Sequence, residues 1–249
     1  MRFLKLTLCY DGTNYAGWQV QKGASTIQAE LERAWHKVTS ETIRVTASGR
    51  TDAGVHALAQ VVSLQTESAL AGDVLQRALS ANLPEDIAVL AVDDAPDGFH
   101  AIRDAVRKRY RYQIHNALTP DVLQRHVTWH VPKPLDVEAM QRAGGALLGT
   151  HDFSSFETSG AERATSVRTV TDLSVARGSV ERKHRITIEV EADGFLYNMV
   201  RTIVGTLVEV GRGVADESWP ADVLRAHDRR KAGPTAPPQG LILVNVDYE

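Results

Sequence analysis

The sequence predicts an α+β protein made of two ferredoxin-like βαββαβ lobes, their antiparallel sheets side by side with a cleft between them. Three observations lead there. Hydrophobic periodicity runs strand, helix, strand, strand, helix, strand, and then repeats that order. The two runs share no visible sequence similarity, so the repeat is one of architecture. The 249 residues, 43% of them hydrophobic, are enough for one large core or two smaller ones. The repeat in element order places the boundary near residues 98 to 106, giving lobes at 1–102 and 103–249.

In the first lobe, Leu4, Leu6, Leu8 and Tyr10 alternate as a half-buried strand, followed by the glycine-rich loop DGTNYAGWQVQKG. Ser25 and Gln28 have capping-box spacing, and behind them Ile27, Leu31, Ala34 and Val38 share a helical face. Ile43, Val45 and Ala47 alternate as a second strand. The segment SGRTDAGVHA and a strand around Val61–Leu64 follow. A helix through Val74, Leu75, Ala78 and Leu79 leads to the apolar run IAVLAV. In the second lobe, RKRYRYQIH is a strand, Asp136 caps a helix through Val137, Met140, Ala143 and Leu147, and Val170–Val175 is a strand. Ile186, Ile188 and Val190 alternate as another. An apolar helix from Met199 ends near Gly211, a short helix spans Trp219–His227, and the proline-rich AGPTAPPQG opens onto a last strand, LILVNV.

No apolar run is long enough to span a bilayer, and Met1 leads directly into a strand, so neither an anchor nor a leader is expected. A single cysteine, Cys9, leaves no internal disulfide and no cysteine-rich metal site, which suits a reducing cytoplasmic setting. The net charge of −3 argues against a generally basic surface but not against local clusters. Two clusters stand out. One is Arg103, Arg107, Lys108, Arg109 and Arg111 with Tyr110 and Tyr112 interleaved; the other is Arg225, Arg229, Arg230 and Lys231. Solvated faces explain them as simply as nucleic-acid binding does, though interleaved aromatics are suited to stacking on bases.

No phosphate-binding P-loop, dinucleotide fingerprint, nucleophile elbow or HExxH motif occurs, so cofactor-free side-chain chemistry is what remains. In GRTDAG, Arg50 and Asp52 stand two apart at the end of an apolar strand, where extended backbone points their side chains the same way. Flanking glycines admit close approach of another backbone. A carboxylate held ionised by arginine serves as a nucleophile or as a plain salt bridge, and the residues alone leave both open. His56 follows, without metal-ligand spacing around it. Tyr110 begins a strand row with Tyr112 and Ile114, a core pattern whose first member sits beside the basic cluster. Arg201 interrupts an apolar helix, where a guanidinium either snorkels outward or meets a carboxylate.

Across nearly its whole length the sequence resembles the tRNA pseudouridine synthase A family. The resemblance is carried by YDGTNYAGWQVQ, SGRTDAGVHALAQVV, ANLPEDIAV, FHAIRDAVRKRYRYQI, GTHDFSSF, FLYNMVRTIVGTLVEVG and GLILVNVDY, in that order and with no departure at a motif position. It implies an isomerase that converts uridine to pseudouridine at tRNA positions 38, 39 and 40 of the anticodon stem-loop, without cofactor or metal. It further implies a homodimer, tRNA as partner and an RNA-binding cleft. Asp52 matches the family's catalytic aspartate, Arg50 an arginine that helps extrude the target base, and Tyr110 the tyrosine stacking on it. Arg201 matches an arginine paired with the aspartate, and Leu241 an apolar residue of the same pocket. A non-catalytic RNA-binding module on paired sheets, or a small-molecule hydrolase using Asp52, are the competing readings. The first has no need of Asp52 or Arg201, and the second has no need of RNA.

Overall fold

Strict alternation at Leu4, Leu6 and Leu8, all fully buried, makes β1 (Arg2–Tyr10) a strand with one face in a core. The computed structural model of the protein describes residues 1–158 and 165–249. These form two compact units: Met1–Val106 with Ile242–Glu249, and Arg107–Leu241. The mixed α+β class is the one the periodicities predict. Among the described residues no helix is long and apolar enough to cross a membrane.

In the first unit β1 pairs antiparallel with both β3 (His56–Thr66) and β4 (Ile87–Ala95). The short β2 (Thr46–Ala47) joins the other edge of β3 antiparallel, through Thr46 opposite Ser63 and Ala47 opposite Val62. Helices α1 (Ile27–Thr39) and α2 (Gly72–Ser80) bury Ile27, Leu31, Trp35, Leu75 and Leu79 in the same core as β1. Because β2 ends early, the edge of β3 nearest His56 is open to another strand. β10 (Leu241–Tyr248) takes it in parallel, Ile242 opposite His56 and Leu243 opposite Ala57. The β1–β3 register slips between Leu8–Gln60 and Tyr10–Ala57, an extra residue in β3 of the kind that bends a strand beside a functional loop.

In the second unit β5 (Ala105–His115) pairs antiparallel with β9 (Arg185–Ala192). β9 in turn pairs with β8 (Val167–Arg177), and β8 with β7 (Gly149–Asp152). The two-residue β6 (Trp129–His130) lies parallel to β5. Tyr112, Ile114, Ile186, Ile188 and Val190 fill one side of this core. Helices α3 (Val137–Gly144) and α4 (Met199–Gly211) add Met140, Ala143, Ile203, Val204 and Leu207. α4 is buried almost all round, and the chain after α5 (Trp219–Ala226) explains why. This proline-rich segment lies along α4 as a strap: the Gly233 amide donates to Thr206 Oγ1 at 3.0 Å and the Ala236 amide to the Arg201 carbonyl at 3.0 Å.

The structure moves several expected features. The α1 cap is Thr26, whose hydroxyl accepts the Ala29 amide at 3.3 Å. Ser25 instead gives its carbonyl to the Ala16 amide, and Gln28 turns to the Val20 amide and Glu32. The second strand shortens to Thr46–Ala47 because Glu32 takes the Val45 amide at 3.1 Å, removing it from the ladder. Asp136 caps α3 as expected, accepting the Ala139 amide at 2.9 Å. β6 and β7 carry too few residues for periodicity to register. The last strand, expected in the second lobe, has its parallel pairing with β3 of the first unit.

The strap predicts a stability effect. A Cβ on Gly205 would come within 1.7 Å of the Pro234 carbonyl oxygen, so Gly205→Ala forces helix and strap apart. The expected loss is about 2 kcal/mol of unfolding free energy, the usual scale of overpacking. Chemical denaturation reads it as a lower midpoint; an unshifted midpoint would mean that the strap does not lie on α4 in solution.

Candidate active site

The loop between β2 and β3, residues 48–55, carries Arg50 and Asp52. Its backbone is held by the β1–α1 loop. The Trp18 amide donates to the Thr51 carbonyl at 2.9 Å, and the Val55 amide closes a turn onto the Asp52 carbonyl at 3.1 Å. Two glycines permit this approach: a Cβ at Gly12 would lie 2.0 Å from the Val55 oxygen, and one at Gly17 (φ +93°) 2.6 Å from the Thr51 oxygen. The result is a clasped loop with Asp52 half-buried and Arg50 exposed.

Beneath it lies a buried polar network. Gln60, fully buried, accepts from the Ser48 hydroxyl at 2.7 Å and donates to the Gly49 carbonyl at 2.8 Å. It also donates, at a longer 3.4 Å, to the Tyr10 hydroxyl, which is 2.8 Å from Thr51 Oγ1. Burial pushes the Tyr10 phenol up to about 12, so it stays protonated. His56 is also buried. Its Nδ1 is 3.1 Å from the Gly12 amide, from which a bare Nδ1 accepts, and 3.0 Å from Asp11 Oδ1, to which a protonated Nδ1 donates. Burial would raise the Asp11 carboxyl, but bonds from Thr13 and the His56 ring bring it below its ordinary value. Among the described residues no His, Cys, Asp and Glu side chains cluster as a metal site.

The second unit holds Tyr110, Arg201 and Leu241. Tyr110 sits opposite Val190, 8% exposed, with its ring edge-on to Phe195 at 5.0 Å between centroids. Arg201, in the first turn of α4, donates from Nε to the Ala236 carbonyl and from Nη1 to Asn198 Oδ1, both at 2.7 Å. The strap that it grips runs on to Leu241, which is 7% exposed. On the way the Tyr112 hydroxyl donates to the Pro237 carbonyl at 2.7 Å. Arg201, Leu241 and the Tyr110–Tyr112 row are thus tied to one segment, which the proline-rich composition alone did not reveal.

The tRNA pseudouridine synthase family profile matches residues 8–103 and 143–249. The chain belongs to the tRNA pseudouridine synthase family. Similar proteins include those named tRNA pseudouridine synthase A from Moorella thermoacetica, Acetivibrio thermocellus and Thermoanaerobacter sp. (strain X514). They are 50%, 48% and 46% identical, each aligned over all of both chains. As a pseudouridine synthase, the protein is an isomerase.

Membership in this synthase family raises the question of what the two basic clusters pair with. In β5 the arginines alternate with the tyrosines and so lie on the opposite face of the strand. There Arg109 donates to Asp172 at 2.7 Å, Glu191 at 2.9 Å and Glu189 at 3.1 Å, while Arg111 donates to Glu189 at 2.7 Å. Arg107 adds a looser pair with Glu191 at 3.6 Å. Arg107, Arg109 and Arg111 are half of a charge ladder whose acidic half comes from β8 and β9. Arg103 pairs with Asp104, Arg225 with Asp222 and Arg230 with Asp228, while Arg229 donates to the Gly233 carbonyl and Thr235. The signal was present in RITIEVE, whose Glu189 and Glu191 fall opposite Arg111 and Arg109 in register. Gln60, a lone amide in an apolar strand, was the corresponding signal for the buried network.

The ladder gives two expectations. Arg109→Gln leaves three carboxylates facing one another and should cost about 2 kcal/mol, less than a fully buried pair because the group is partly solvated. The slope of log affinity for tRNA against log salt should not change, whereas losing a phosphate contact lowers it by about 0.9. Salt-titrated binding checks this, and a shallower slope would return Arg109 to the RNA surface. Burial alone would raise Glu191, but the Thr171 hydroxyl and the Arg109 and Arg107 guanidinium groups hold its carboxyl below its ordinary value. Its stabilisation is therefore complete above the unfolded carboxylate pKa and is lost as pH falls through the folded one. Melting temperature below about pH 4 should fall less steeply for Glu191→Gln than for the parent.

Proposed function

We propose that the protein converts uridine to pseudouridine at positions 38–40 in the anticodon stem-loop of tRNA, with the Asp52 carboxylate as the reacting group. The observation that carries this reading is the clasp on the Asp52 loop: a half-buried carboxylate on backbone fixed by the Trp18 amide and two close glycine approaches. A loop with no chemistry to perform needs no such clasp. A non-catalytic RNA-binding module would have no use for it.

The reaction breaks the N1–C1′ bond of the nucleotide, turns the uracil, and forms a C5–C1′ bond. C5 loses a proton and N1 gains one, so the net change is an isomerisation with no co-reactant. A base in a stem must first leave the stack, at a cost of a few kcal/mol, and stacking on an aromatic ring such as Tyr110 recovers about 1–3 kcal/mol. In this reading Arg50, exposed beside Asp52, holds the opened stem, and Leu241 contributes an apolar wall. Arg201 is the proposed partner that keeps Asp52 ionised, since an opposite charge nearby favours the charged form. Two ferredoxin-like lobes with an RNA-binding cleft, assembled as a homodimer in the cytoplasm, complete the proposal. The strand order β4-β1-β3-β2 of the first unit supports its lobe architecture.

Purified Asp52→Asn should form no pseudouridine in a bare tRNA transcript while binding it as the parent does; conversion at the parent rate would sink the assignment. Arg201→Lys, which replaces a planar fork by a point charge, should lose most of kcat. Unchanged turnover would argue against the pairing with Asp52.

A further inference from the structure

The carboxylate of Asp52 is only as well aimed as the loop that carries it, and that loop is held from below by side chains outside the residues assigned so far. Gln60 uses its whole amide on this task. Its Oε1 takes the Ser48 hydroxyl, and its two Nε2 hydrogens go to the Gly49 carbonyl and the Tyr10 hydroxyl. The Tyr10 oxygen, accepting from Gln60, also shares a hydrogen bond with Thr51 Oγ1 at 2.8 Å, in which either hydroxyl can donate. Thr51 is the residue before Asp52, and its carbonyl is simultaneously held by the Trp18 amide. Thr51 is thus fixed through both backbone and side chain, and both holds come from residues that are themselves nearly inaccessible: Tyr10 at 3%, Trp18 at 1% and Gln60 at 0%.

The register places the amide, because Gln60 lies opposite Leu8, which shares a face of β1 with Tyr10. Tyr10 faces Ala57 and Leu8 faces Gln60, so β3 spends one more residue than β1 over this stretch. The odd-numbered Ala57 and the even-numbered Gln60 consequently sit opposite β1 residues of one face. Without the extra residue the Leu8–Gln60 register would put Leu58, and not Ala57, opposite Tyr10.

We propose that Tyr10, Thr51 and Gln60 form a positioning relay that sets the geometry of Asp52 for the isomerisation, an inference that rests on the reading of Asp52 as the reacting group. These residues do not touch the nucleotide; they act through the loop backbone. An error of about 1 Å in a reacting group costs on the order of a hundredfold in rate, so the relay should register in turnover and not in RNA affinity.

The test uses full-length protein and a tRNA transcript. Tyr10→Phe keeps the ring packed near Trp18 and removes one hydroxyl; Thr51→Val removes the other. Each should lower kcat about 10- to 100-fold while KM for tRNA stays within about twofold. The double variant should fall no further than the worse single one, because one bond is broken in either case. Thr51→Ser, which restores the hydroxyl, should recover most of the rate lost in Thr51→Val. Asp52→Asn runs alongside. If it is inactive and both single variants turn over at the parent kcat, the relay is overturned and the reading of Asp52 stands. A rise in KM at parental kcat also overturns it, placing these residues in RNA binding. If Asp52→Asn is fully active, the reading of Asp52 fails and the relay with it.

Discussion

An ionisable side chain on a surface loop is an unreliable tool unless something rigid controls where the loop lies. In this protein the controlling constraint is that the main chain of residues 48–55 has almost no freedom of its own. The Trp18 amide from the neighbouring β1–α1 loop holds the Thr51 carbonyl, glycines let the two backbones touch, and the buried Gln60 amide bonds the Ser48 hydroxyl and the Gly49 carbonyl. Burying that much polarity is costly unless every partner is present, and here each group of Gln60 has one. The same completeness that removes the cost also removes alternative arrangements. The cost of leaving any one partner unmade is what fixes the loop.

The second unit manages charge by a different rule. Three arginines of β5 meet three acidic residues of β8 and β9 on one sheet face, so a strand that reads as strongly basic contributes no net charge there. That accommodates a run of cations in a protein whose formal charge is −3. It also separates two tasks within one strand: the tyrosine face belongs to the core and its margin, and the arginine face belongs to the ladder.

Much of the fold was legible because it rests on periodicity. β1, β9 and the helices around Leu31 and Ile203 keep their apolar residues on one side, and local pattern finds them without knowledge of neighbours. What escaped notice depends on partners distant in sequence. Val45 leaves its strand because Glu32 takes its amide, and nothing around Val45 announces Glu32. The β5 arginines stood out as positive charge without their counter-charges, because the carboxylates that meet Arg109 lie between 63 and 82 positions on. For the site, Asp52 stood out through its neighbours in GRTDAG, and Arg201 as a charge in an apolar helix. The buried hydroxyls of Tyr10 and Thr51 carry no such signal, since a tyrosine ending a strand and a threonine in a loop are ordinary on their own.

The parallel pairing of β10 with β3 bears on how the chain is made. Ile242 and Leu243 leave the ribosome 186 residues after His56 and Ala57. Until Ile242 and Leu243 have been made, the strand directly behind the Asp52 loop keeps that edge unpaired, and an open strand edge is a template for unwanted association. The amino-terminal unit therefore cannot mature ahead of the rest, as amino-terminal units commonly do. A product truncated before Ile242 would therefore leave that edge of β3 exposed.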